Sequence, residues 1–245
     1  MTSITVYEAE KSGPLPEEKI TLEDIRKAGQ KFGGWALKEH YWGFLHGSFS
    51  RDNGYVERSL KKLVDHGELV THPFEGKLAY SVKRVNRQRS HTYPHTMYHE
   101  LNVTGGLIRF WWADPLPKEY IPSSFFMGRP LKPEWALRLS SGTTILFEFC
   151  TDDNFKRLLK FKVERYSKVI EGIEKPMVVF VCDVEMERIK GFIDRNRSLL
   201  TFVHDGKSIS PFYFTDSRIF RNQALGEALT ASIYLWQDGE VAPLR

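Results

Sequence analysis

A lysine sits where the pattern around it demands an apolar side chain. From about Asp153 to Gly172 the sequence is helical in period. At about 100° per residue, Phe155, Leu158, Leu159, Val163, Tyr166, Val169 and Ile170 fall on one face. Lys162 lies near the centre of that face, whereas Lys156, Arg157, Lys160, Glu164 and Arg165 lie elsewhere. An ammonium aimed into an apolar layer is costly unless it is paired or can reach an edge. The fold therefore has to supply a partner. The preceding stretch "ILFEFC" reads as a strand whose period of two puts Ile145, Phe147 and Phe149 on one face and Leu146, Glu148 and Cys150 on the other. Glu148 carries the same burial penalty as Lys162, and the two are expected to meet.

Two readings of that pair are open. In one, Lys162 and Glu148 form a buried ion pair that locks helix to sheet and adds little net stability. In the other, Glu134, at the start of the neighbouring strand "EWALRLS", approaches Glu148 across the ladder. Two carboxylates so placed can hold Mg²⁺ or Mn²⁺ and lower the pKa of a bound water, with Lys162 steadying charge on a phosphate.

Upstream, "TLEDIRKAGQKFGG" opens with an N-cap threonine, carries acids in its first turn and stops at paired glycines. "WALKEHYWGFLHG" is a second helical segment. A third helix has Tyr55, Val56, Leu60, Leu63 and Val64 at helical spacing and Gly67 at its end, and "ELVTHPFEGKLAYSVKR" reads as two strands around Glu75-Gly76. Three helices and a hairpin are the order of a winged helix, with the third helix as groove reader. Arg51, Arg58, Lys61 and Lys62 cluster on or before that helix, and Lys83, Arg84, Arg87 and Arg89 follow the hairpin, a local excess suited to phosphate contacts. The whole-chain charge is only +4, so any nucleic-acid surface must be local. Such a small helical domain also serves as a protein–protein module.

The expected organisation is a lead-in over 1–20, a winged-helix domain over 21–84, a linker over 85–92 and an α/β (α+β) mixed-sheet domain over 93–245. In the last, a helix opened by Pro94 closes at Gly105-Gly106, and a strand with Phe110 and Trp112 follows. "ADPLPKEYIPSSFFMGRPLKP" reads as an irregular excursion. Strands "MVVFVC" and "LLTFV", a helix "VEMERIKGFIDRN" between them, and one or two strands in the tail complete the domain. Apolar runs are too short to span a bilayer, no signal-peptide core opens the chain, and two cysteines make no disulfide framework, so a cytoplasmic location with no membrane partner is expected. Cys150 and Cys182 fall near the ends of adjacent strands and read as buried thiols. Tyr166 reads as core, with its hydroxyl hydrogen-bonded. Trp42, Trp111 and Trp112 could be core or could stack on bases.

"YHELNVT", "LKPEWALRL", "ILFEFCTDDN" and a helix with Lys162 four residues before Tyr166 together resemble the replication-relaxation family, encoded largely on plasmids, conjugative elements and phages. Order and spacing match from roughly His99 to Tyr166, and "FTD…IYLWQDGEVAPL" matches more loosely. The resemblance implies a winged helix followed by a restriction-endonuclease-like domain of PD-(D/E)XK type. Pro133-Glu134 then stands at the Pro-Asp of that fold and Glu148 at its central acid. The usual lysine, two residues on, falls at Cys150, which cannot supply the charge. Asp152 stands as a partial replacement for an acid the family often has there, Lys162 as a relocated catalytic lysine, and His99 as the family histidine that orients the site or caps the first helix. What the resemblance implies is a DNA-binding protein of a mobile element, acting in replication or mobilisation. It is either a metal-dependent endonuclease or a non-enzymatic regulator or initiator whose decayed nuclease domain serves as a homodimer platform or recruits replication, transposition or mobilisation proteins.

Overall fold

The computed structural model describes residues 20–47, 54–82, 94–113, 118–121, 123–139, 141–150, 155–204, 206–216, 234–237 and 240–243. It is a mixed α and β structure. Among the described residues, 20–113 form one compact unit, and 118–216 with 234–243 form the other.

In the N-terminal unit, helix α1 (Leu22–Phe32) starts at Thr21, whose hydroxyl accepts from the Asp24 N–H at 3.3 Å while the Asp24 carboxylate accepts from the Thr21 N–H at 2.9 Å. This reciprocal box satisfies donors that a helix start leaves open. Gly33, at φ 67°, ends the helix in the left-handed conformation. The apolar face of α1 buries Ile25, Ala28 and Phe32, and the Phe32 ring meets Tyr41 and Phe44 of helix α2 (Lys38–His46) edge-on at 5.0 and 5.4 Å. Helix α3 (Tyr55–Asp65) buries Val56, Ser59, Leu60 and Leu63. It closes as the glycine predicts: Gly67 N–H donates to Val64 O at 2.8 Å and Glu68 N–H to Leu63 O at 2.9 Å, the paired bonds of a Schellman motif. Strands β2 (Leu69–Phe74) and β3 (Lys77–Val82) form the expected hairpin. Its Glu75 and Gly76 both have positive φ, 48° and 76°, as a two-residue turn of matching twist requires. The second helical segment begins later than expected. Ala36–Leu37 form a short strand, β1, paired with β3 in a sheet of order β1-β3-β2.

Helix α4 (Pro94–Ala113) departs most from the sequence reading. It runs unbroken through Gly105 and Gly106, and the strand expected at Phe110 and Trp112 is its last turn. Met97, Leu101, Thr104 and Ile108 are buried at helical spacing, and this continuous face outweighs the cost of two glycines. The helix also belongs with the first unit, not the second. The Glu100 carboxylate accepts from the Trp35 N–H at 2.9 Å, and the Thr104 hydroxyl donates to Trp35 O at 3.0 Å, while Met97 and Leu101 pack with Trp35 and Ala79. Trp42 is core, 2% exposed, which removes it as a base-stacking candidate.

The C-terminal unit is built on a seven-stranded sheet of order β12-β11-β10-β7-β6-β5-β4. Strands β4 (Lys118–Ile121), β5 (Trp135–Leu139) and β6 (Thr144–Cys150) form an antiparallel meander. Helix α5 (Phe155–Val169) then crosses to β7 (Pro176–Cys182), parallel to β6, and β10 (Phe212–Asp216) lies parallel to β7. Strand β4 lies in the stretch expected to be irregular. Helix α6 (Met186–Arg195) is as expected, but "LLTFV" is split between a short helix α7 (Arg197–Leu200) and strand β8 (Phe202–His204), which pairs with β9 (Lys207–Ile209). Leu200 is buried in the core from α7, and this burial keeps the segment helical. Strand β11 (Tyr234–Gln237) pairs antiparallel with β10, and β12 (Glu240–Pro243) pairs antiparallel with β11 to complete the sheet. The core joins Leu146 and Cys150 of β6, Leu159, Val163, Tyr166 and Val169 of α5, and Val178 and Phe180 of β7.

Candidate functional site

Glu148 lies on the interior strand β6, where all seven residues are buried, and is 3% exposed. Strand alternation turns Phe147 to the opposite face, where it stacks on Trp135 at 4.3 Å, and turns Glu148 with Leu146 and Cys150 toward α5. On α5, Lys162 and Tyr166 are one turn apart and so share a face. Lys162 Nζ donates to Glu148 Oε1 and, at 3.3 Å, to Phe149 O; Tyr166 O–H donates to Glu148 Oε2 at 2.6 Å. The lysine in the apolar stripe thus meets the carboxylate in the apolar strand, and the tyrosine takes the remaining oxygen. All three side chains are buried.

Burial drives the Glu148 carboxyl up to about 7, and the negative charge of Glu134 pushes the same way. The Lys162 charge and the donors on Lys162 and Tyr166 oppose that rise without cancelling it. Burial is the largest single influence on the Lys162 ammonium and lowers it, but the charge and hydrogen bond of Glu148, with the charges of Cys150 and Glu134, together outweigh burial and the net direction is up. Burial and the adjacent carboxylate both push the Tyr166 phenol up, so it remains a donor. Burial thus pushes Glu148 toward its protonated form, while the surrounding negative charge holds Lys162 toward its charged form.

The structure places the other expected residues as follows. Glu134 N–H donates to Phe147 O at 3.0 Å, which extends the β5–β6 ladder one step past the Trp135–Phe147 pair and sets Glu134 beside Glu148. Its side chain is exposed, and its charge is felt at Glu148. Among the described residues, no group of three or more His, Cys, Asp or Glu side chains is placed to hold a metal ion. Both Glu148 oxygens already face internal donors, so a cation at Glu148 would compete with an ammonium seated on the same carboxylate. Cys150 is fully buried and sits opposite Cys182 in the parallel ladder, both as free thiols. His99 is on α4 of the N-terminal unit, not in the unit that carries Glu148. Asp152 lies outside the described residues.

Of the basic residues expected at DNA, Arg58, Lys61 and Lys62 are exposed on α3, on the side away from Val56, Leu60 and Leu63. Glu57 on the same helix is paired with Lys38 at 3.0 Å, leaving Asp65 as the other acid on that surface. Arg51, Lys83, Arg84, Arg87 and Arg89 lie outside the described residues. Trp111 is half-buried, with Phe44 at 5.2 Å and the Lys31 ammonium 4.7 Å from its ring; the Trp112 side chain is outside the described set. The apolar stripe on α5 passed over one aromatic, Phe161, which is 43% exposed on the solvent side of the helix. Its signal in the sequence was position alone, an aromatic on the charged face.

No protein-family model matches this chain, and no curated protein matches it in sequence.

Proposed function

We propose that this is a DNA-binding protein in which the N-terminal unit acts as a winged helix that contacts duplex DNA through α3, and the C-terminal unit is a nuclease-like domain that does not cleave. The observation that carries the first half is the exposed Arg58, Lys61 and Lys62 face of α3, on a helix closed by a Schellman motif and followed directly by a hairpin. The second half is supported by the Glu148–Lys162–Tyr166 arrangement, which braces α5 against β6 with every polar group satisfied internally. The resemblance to the replication-relaxation family supports a role in replication or mobilisation of a mobile element, in the cytoplasm, with a homodimer or recruited replication, transposition or mobilisation proteins as partners.

A second reading, a Mg²⁺- or Mn²⁺-dependent endonuclease, is favoured by one observation: Glu134 is beside Glu148 in the ladder, close enough for its charge to raise the Glu148 carboxyl. In that reading Glu134 and Glu148 are the metal ligands and Lys162 the electrostatic helper.

One experiment separates them. Supercoiled plasmid and linear duplex are incubated with wild type, with Glu148→Gln and with an Arg58→Ala/Lys61→Ala/Lys62→Ala variant, in Mg²⁺ and in Mn²⁺, with gel shift on the same samples. Binding lost in the α3 variant, with no cleavage in any tube, is the expected result. Cleavage by wild type that disappears in Glu148→Gln while binding persists would establish the nuclease, and duplex binding unaffected in the α3 variant would remove the groove-reading role of α3.

A further inference from the structure

A cleft of about 470 Å³ opens on the C-terminal unit between α5 and the loop before β5, lined by Pro130, Phe161, Glu164, Arg165 and Lys168. On α5 these side chains follow the spacing i, i+3, i+4, i+7, so they form one stripe on the solvent face, opposite Lys162 and Tyr166. Phe161 is an aromatic ring that the fold leaves 43% exposed, and the Arg165 guanidinium lies over it, 3.9 Å from the ring centroid. Arg165 is also held from the other wall, donating to Pro130 O at 3.4 Å. The neighbouring Arg129 fixes the same loop to the C-terminal end of α5 through Val169 O and Glu171 O. The cleft is thus built in advance of any ligand, which lowers the ordering cost of binding.

Its chemistry is that of a nucleotide site. A stacked aromatic–guanidinium pair offers a flat cationic platform on which an unpaired base can lie. Lys168 supplies a cation for phosphate, and Glu164 an acceptor for an exocyclic amino group. An acidic peptide would use the cations but would leave the platform idle. We propose that this cleft binds an unpaired nucleotide of a DNA strand, giving the C-terminal unit a single-strand contact distinct from the duplex contact of α3. The proposal rests on the reading of the chain as a DNA-binding protein.

The test is fluorescence anisotropy of the full chain with a labelled mixed-sequence single-stranded 12-mer and a labelled 20-base-pair duplex. Phe161→Ala, Arg165→Lys and the α3 triple variant are compared with wild type. Both α5 positions are on the solvent side, and circular dichroism checks that the variants stay folded. The expected result is a loss of single-strand affinity of about 5- to 150-fold in Phe161→Ala, the range of one lost base stack. Arg165→Lys should lose in the same direction, because it keeps the charge and removes the planar group, and duplex affinity should hold in both. Unchanged single-strand affinity in Phe161→Ala and Arg165→Lys overturns the proposal, as does no single-strand binding by wild type or displacement of the 12-mer by an equal charge of polyglutamate. If instead the α3 variant binds duplex as wild type does, the reading of α3 fails, and the cleft is judged on its own arm.

Discussion

Removing either member of the Glu148–Lys162 pair leaves the other buried without its partner, so the two residues should fail separately and recover together. Lys162→Met alone should cost about 3–5 kcal/mol in a urea titration, and adding Glu148→Gln should return at least about 1 kcal/mol of it. Strict additivity of the two changes would mean that the pair is not coupled. Tyr166→Phe should cost about 1–2 kcal/mol and move the Glu148 carboxyl further up, since the lost O–H favours the carboxylate. The pH dependence follows from the direction of the Glu148 shift. Its folded value, about 7, lies above the ordinary 4.5, so between those limits the folded state holds the extra proton. The Glu148 contribution to stability is then fully present below pH 4.5 and is lost as pH rises toward 7, by about 3 kcal/mol at most. Lys162 shifts upward from 10.5, so its contribution persists through this window and is lost only above 10.5. Unfolding free energies measured at pH 4.5 and 7.5 should therefore fall more in wild type than in Glu148→Gln. Equal changes in the two proteins would show that Glu148 does not titrate there.

At the scale of the element, two glycines that look alike in sequence should respond with opposite sign. Gly67 has φ 70° and open space around the position of a Cβ, so Gly67→Ala meets only backbone strain and should destabilise the unit by about 1 kcal/mol. Gly105 is inside α4, where an added Cβ would find the His40 Nε2 at 3.9 Å, an ordinary contact. Gly105→Ala should stabilise by about 0.5–1 kcal/mol, and thermal melts of the two variants check both signs. The same pair shows what a sequence can and cannot reveal. Gly67 follows an amphipathic helix and precedes a strand, so local pattern is enough to read it as a stop. Gly105-Gly106 reads as a stop by the same local rule, but the buried face formed by Met97, Leu101, Thr104 and Ile108 carries the helix through. Strand β1 is two residues long and has no period to detect; it exists because β3 pairs with it. Strand β4 sits in a proline-rich stretch and becomes a strand through pairing with β5. The Glu148–Lys162 contact was legible because each residue broke an apolar pattern, and two such breaches on facing elements imply each other. The exposure of Glu134 was not legible, because it lies at the start of its strand, where alternation has not yet fixed a direction.

On the scale of the whole molecule, charge decides where DNA can be held. With 35 lysines and arginines against 31 acids, the chain carries too little net charge for its overall field to bind a polyanion firmly, and affinity must come from a few cations on one surface. On α3 those cations are Arg58, Lys61 and Lys62, with Glu57 neutralised by Lys38. Each cation that meets a phosphate contributes about 0.9 to the slope of log K against log salt. Replacing all three by alanine should therefore flatten that slope for a 20-base-pair duplex by up to about 2.7, and should do so for any sequence, because phosphate contacts carry no base information. Glu148→Gln alters a buried group of the other unit and should leave the duplex slope where it was. A salt titration of wild type and the two variants reads all three values directly. If the triple variant keeps the wild-type slope, the phosphate contacts lie elsewhere and α3 is an exposed helix with ordinary surface charge. If Glu148→Gln flattens it as much as the triple variant does, then the buried brace controls DNA binding, and treating the two units as separate in function would be wrong.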